Sequence, residues 1–191
     1  MKPKRDAILD TALTLFSTHG YHSIGVDRIK DEAGVSKMTL YKYFSTKEVL
    51  IESVLIRRDE LFREGIERAV ASAAGCFDKV QAVFRWHDEW FRCGNFHGCM
   101  FIKASEEFPD ATSEIRRISM QHKEYIGHTL QSILDLGEIK DSALLARHLM
   151  IVLEGMIVNA NMFSDRSCVD TCWQFISELL NQRLQPPADQ P

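Results

Sequence analysis

The sequence predicts an all-α fold of about nine helices, a small N-terminal domain followed by a larger helical one. Three observations carry this. Apolar residues recur three and four apart along most of the chain, and no useful length alternates apolar with polar as a half-buried strand must. Gly, Pro, Ser, Thr and Asp fall where helices need starts and stops. At 191 residues, 45% hydrophobic and 26% charged, the chain can bury a core without disulfides, which excludes wholesale disorder and collagen-like repeats.

Each element follows from local pattern. Over 6–19, Ile8, Leu9, Ala12, Leu13, Leu15 and Phe16 share a helical face, and Gly20 is the stop. A short helix over 26–33 ends at Gly34. Ser36 is the expected N-cap of the next, which runs to Tyr43. Ser45-Thr46 opens a long helix with Val49, Leu50, Val54, Leu55, Leu61, Phe62 and Ile66 along one side. Residues 77–93 form an aromatic-rich helix, 94–98 a break, and Phe108-Pro109-Asp110 another. Long helices follow over 112–136 and 142–163, with Asp141 the expected cap between them, then a last helix over 167–184. The domain boundary is placed after residue 47: a first domain over 1–47, a second over 48–185 entered by a connecting helix over 47–73, and a loose tail over 186–191.

The charge is unevenly spread. Residues 1–58 carry ten Lys/Arg against seven Asp/Glu, net +3, whereas the remainder is net −7 and the whole chain −4. A basic end on an acidic body points to a polyanionic partner for that end. No apolar run approaches the ~20 residues of a membrane span, so no membrane partner is expected. The charged N-terminus lacks an apolar core and a cleavage site, and the five cysteines are odd in number and scattered. A cytoplasmic location is the expectation.

Two short helices, 26–33 and 37–43, joined by Gly34-Val35-Ser36 have the proportions of a helix-turn-helix. Leu40 and Phe44 lie four apart and can anchor the second helix, leaving Lys37, Thr39, Tyr41, Lys42 and Tyr43 for a groove ~12 Å wide. Lys47, opening the next helix, adds a charge beside free N–H groups suited to a phosphate. Spacing alone is equally consistent with a tight helical corner bearing a solvated basic face.

Gly20-Tyr21, Val26-Asp27-Arg28-Ile29, Ala33-Gly34-Val35-Ser36-Lys37, Leu40-Tyr41-Lys42-Tyr43-Phe44 and Lys47-Glu48-Val49-Leu50 resemble the N-terminal domain of TetR-type transcriptional regulators over residues 5–55. The resemblance implies a homodimer whose three N-terminal helices bind double-stranded operator DNA and whose body binds a small-molecule effector. Most such proteins are repressors. It assigns Lys37, Met38, Thr39, Lys42 and Tyr43 to bases or flanking phosphates, Tyr41 and Lys47 to the DNA backbone, and Arg28 to a lesser contact. Ile24-Gly25 stand where the family commonly has hydroxyl residues, Met38 where it often has glycine, and Lys30 where alanine is usual. These departures bear on which bases are read.

In the body, residues 149–158 are apolar nearly all round, and Val169, Cys172, Trp173, Ile176, Leu179 and Leu180 form a stripe. Two such helices closing by two-fold pairing place the dimer interface at Leu149, Val152, Met156, Val169, Trp173, Ile176 and Leu180. The alternative is that both helices cover their own core. Trp86, Trp90, Phe101, His122, Tyr125, Met150, Met156 and Asn159 are the candidate wall of an effector pocket, apolar with a few polar handles, which suits a largely apolar effector.

Cys93, His97 and Cys99 lack the spacing of structural zinc sites, so neither metal nor other cofactor is expected. A thiol- or metal-sensing role for Cys93 or Cys99 is one rival reading. A helical small-molecule-binding or interaction module that no longer reads an operator is another. No nucleophile elbow, phosphate loop or His-Glu-x-x-His occurs, and Asp59-Glu60 and Glu106-Glu107 point to different sides of their helices. An enzyme is not expected.

Overall fold

The computed structural model describes residues 3–164 and 167–184. Among them are nine helices, α1 (Lys4–His19), α2 (Val26–Glu32), α3 (Lys37–Tyr43), α4 (Lys47–Ala71), α5 (Gly75–Arg92), α6 (Met100–Glu107), α7 (Glu114–Leu136), α8 (Ser142–Phe163) and α9 (Cys168–Leu184), and no strand. The tail over 186–191 lies outside the described residues.

The chain forms two compact units: Met1–Phe62 with Cys99–Lys123, and Arg63–Gly98 with Glu124–Pro191. The first holds α1 to α3, the first part of α4, all of α6 and the start of α7. The three N-terminal helices pack on one another around Ile8, Phe16, Ile29 and Leu40, each wholly buried. Burying such side chains supplies about 1.5–3 kcal/mol apiece, the usual source of stability for helices too short to persist alone. Gly20 ends α1 at φ +81°, its N–H donating to the Phe16 carbonyl, and Gly34 follows α2 at φ +65°. Both φ values are ones that side chains resist.

In the second unit α5, α8 and α9 pack on one another. Leu145, Leu149, Leu153, Met156, Ile157 and Ala160 of α8 are buried, as are Val169, Ile176 and Leu180 of α9. This corrects the expected dimer interface. Leu149, Met156, Val169, Ile176 and Leu180 are core of a single chain, and Val152 and Trp173 are half-buried, Trp173 edge-on to Phe77 at 5.4 Å. The exposed apolar face lies elsewhere on the same helices, at Leu144, Ile151, Val158 and Met162 of α8 and Phe175 of α9.

By length and composition α8 is apolar enough to cross a membrane, although its sequence is interrupted by Arg147, His148 and Glu154; one face is buried in the core of its unit. Asp141 precedes α8 but sits at φ +58° with no side-chain hydrogen bond to the helix, so it does not cap.

Candidate nucleic-acid interface

The reading surface is built from its anchors outward. Leu40 and Phe44, one helical turn apart, are 0% and 1% exposed and fix α3 against the other N-terminal helices. Ser36 caps α3 as its residue type predicts: the Oγ accepts from the Thr39 N–H at 3.1 Å and lies 2.9 Å from the Thr39 hydroxyl. Gly25 stands at the N-cap of α2 with extended backbone and no side-chain bond. Thr46 caps α4, accepting from the Val49 N–H at 3.2 Å.

What remains of α3 faces solvent. Met38 is 83% exposed, Tyr41 and Tyr43 each 41%, and Lys37 and Lys42 are exposed; Thr39 is half-buried. Lys37 Nζ pairs with Asp27 of α2 at 3.1 Å, both side chains more than half exposed, so the pair can exchange for a phosphate in water. Arg28 is forked between Glu32 at 2.8 Å and the His19 ring at 3.4 Å. Lys47 is half-buried at the start of α4, and burial lowers its pKa.

One cation near this surface was not among the assigned residues. Arg5 of α1 stands over the Phe44 ring at 5.4 Å, by the C-terminal end of α3. Periodicity could not find it, because it is the fold of α1 back onto α3 that brings the two together.

The expected pocket residues are divided between the two units. Phe101 stacks on His122 at 3.7 Å in the first unit, and His122 is bound through Nδ1 to Asp59 of α4 at 2.8 Å. Both are packing partners there, and the other six belong to the second unit. In that unit Trp86 lies across Gly65, so close that a Cβ there would stand 2.5 Å from the indole nitrogen. Trp90 meets Phe96 edge-on at 4.9 Å. The Tyr125 hydroxyl donates to Glu67 at 2.8 Å, with Arg63 4.0 Å over its ring. Met150 and Asn159 are half-buried and Met156 buried; the Asn159 Oδ1 is buried without a hydrogen-bond partner. A cleft of about 730 Å³ between α4 and α5 has Trp86 on its wall and none of the other seven. Of the thiols considered, Cys93 is exposed, while Cys99 is buried and accepts from Lys123 Nζ at 3.4 Å.

An anchored short helix with a polar and aromatic outer face, presented after a glycine turn, defines a helix-turn-helix regulator of transcription. Residues 8–54 match the family model of bacterial regulatory proteins of the tetR family. Over 174 residues, 82% of this chain and 79% of the relative, the sequence is 31% identical to the HTH-type transcriptional repressor ComR of Escherichia coli. It is 35% identical over 80 residues to the HTH-type transcriptional activator FasR of Mycolicibacterium smegmatis, which is 42% of this chain but only 36% of that protein's length. The TetR-family regulator SCO4454 of Streptomyces coelicolor superposes with a TM-score of 0.90 at 29% identity, covering 95% of this chain and 96% of that one. The chain belongs to the TetR family of bacterial regulatory proteins.

Proposed function

We propose that the protein is a cytoplasmic homodimer that reads operator DNA with α3 and represses transcription until a small, largely apolar effector releases it. The observation that carries the reading is the division of α3 and its C-cap into a buried anchor, Leu40 and Phe44, and an exposed face at Met38, Tyr41, Lys42 and Tyr43. Lys37 and Lys42 have the reach to donate to guanine O6 and N7. The Thr39 methyl suits a thymine methyl, and Met38 offers a larger apolar contact. Tyr41, Lys47 and Arg28 would hold phosphates, which fix register without reading sequence. Repression, rather than activation, follows ComR, a relative matched along most of both chains and named a repressor.

Pairing of two subunits is supported by the exposed face of α8. Leu144, His148, Ile151, Gly155, Val158 and Met162 follow one another by four and three, the seam spacing of paired helices, and all six are exposed. Gly155 has open space where a Cβ would stand, so a second helix can approach closely there. The reading domain is proposed as residues 1–47, with effector binding and dimerisation in 48–185. Release requires the effector to bind the DNA-free arrangement more tightly than the DNA-bound one.

A gel shift on the chain's own promoter region tests the reading. Specific retardation is expected at low salt and should weaken steeply as salt rises. Lys42→Ala and Tyr43→Ala should each cost about 1–3 kcal/mol of operator binding. No specific retardation at low salt would leave an interaction module in its place. A reporter in a deletion strain separates repression from activation.

A further inference from the structure

The α1–α2 corner of the reading head is held from outside the helix-turn-helix, by α6. Glu107, the last residue of α6, turns its carboxylate onto two successive backbone N–H groups. Tyr21 N–H donates to Oε1 at 2.9 Å and Oε2 at 3.0 Å, and His22 N–H donates to Oε2 at 2.6 Å. The His22 ring Nε2–H donates to the Glu107 carbonyl at 3.0 Å. One and two turns earlier, Lys103 donates to the Ser17 carbonyl at 2.8 Å, and the Met100 carbonyl accepts from the buried Tyr21 hydroxyl at 2.9 Å. Gly20 completes the fit: a Cβ there would stand 2.7 Å from Glu107 Oε1.

From this geometry we propose that Glu107 is a positioning residue for DNA reading, pinning the three-helix head in one orientation against α6 without itself touching DNA. A carboxylate receiving backbone N–H groups makes short, directional, charge-assisted bonds. Without it, the bonds from Lys103, the Tyr21 hydroxyl and the His22 ring remain between the corner and α6. The inference rests on the proposed DNA-binding function, and charge gives it a discriminating sign. Glu107 lies close enough to Lys47 and Lys103 to act on both, so it lowers the positive potential beside a phosphate-holding residue. If charge alone mattered, Glu107→Gln would bind DNA more tightly. If position matters, it binds a paired operator more weakly.

The test compares wild type, Glu107→Gln and Glu107→Asp on three duplexes: the paired operator, a single half-site, and an operator with half-site spacing changed by one base pair. Asp keeps the charge but loses reach. Both variants are expected to lose about tenfold on the paired operator. They should hold the half-site within about twofold and discriminate less between the two spacings. Amide hydrogen exchange on the protein without DNA should show Tyr21 and His22 accelerated in both variants while the core of the head stays protected. Unchanged or tighter paired-operator binding by Glu107→Gln, or wild-type behaviour of Glu107→Asp, would overturn the assignment. So would equal losses on all three duplexes, the signature of a merely destabilised head. Should wild type itself retard no DNA, the functional reading fails, and unaccelerated Tyr21 and His22 exchange then also refutes the pin.

Discussion

Tyr21 shows how much one side chain can depend on its place. It is wholly buried, its hydroxyl donates to Met100 O, and its ring meets Phe16 at 5.2 Å and Phe108 at 5.9 Å. Burial, reinforced by the charges of Cys99 and Glu107, pushes its pKa far above the ordinary tyrosine value, against a smaller opposing effect from Arg58. A pKa raised on folding contributes stability that is full below the unfolded value near 10 and is lost as pH climbs beyond it. Urea midpoints measured from pH 8 to 11 should therefore fall more steeply for wild type than for Tyr21→Phe. Parallel curves would show that another group titrates. Caps were legible at this scale because a Ser or Thr hydroxyl needs only a neighbour three residues on. Ser36 and Thr46 meet that need, whereas Asp141, at φ +58°, is turned away from it. Glu107 was legible only as a charge, because its partners Tyr21 and His22 are more than eighty residues away in the chain.

At the level of helices, periodicity located long elements to within a few residues, since a wide apolar stripe repeats several times along each. It passed over α6, whose eight residues offer a single apolar group, Met100, Phe101 and Ala104. The same stripe misled on α8 and α9. A stripe reports that a face is buried but not by what, and here α5, α8 and α9 bury one another. The reading helix allows a direct contrast. Leu40→Ala removes a fully buried anchor of α3 and should cost about 2–5 kcal/mol by thermal or urea unfolding. Met38→Ala, at 83% exposure, should change stability by no more than about 0.5 kcal/mol, yet alter which operator variants are bound. If Met38→Ala destabilised as much as Leu40→Ala, α3 would be oriented the other way.

For the whole molecule, the asymmetry of charge and the exposed seam of α8 ask for the same assembly. A head of net charge +3 offers only a handful of phosphate contacts, and one short helix reads only a few base pairs, so a single subunit would select its site poorly. Two heads joined at a fixed spacing double the sequence read and turn the second contact into an intramolecular one. The joining surface must be apolar, accessible on one chain and self-complementary about a two-fold axis. Leu144, Ile151, Val158 and Met162 with the open Gly155 are apolar and accessible, and the buried Leu149, Met156 and Ile176 are not accessible. Ile151→Glu, at 68% exposure, should leave the folded chain intact while placing two like charges at the seam. Sedimentation velocity should then give a monomer where wild type gives a dimer. Gel shifts should show that the monomer keeps half-site contact but loses most of its affinity for a paired operator. A wild-type monomer, or an Ile151→Glu dimer, would move the joining surface off this face of α8.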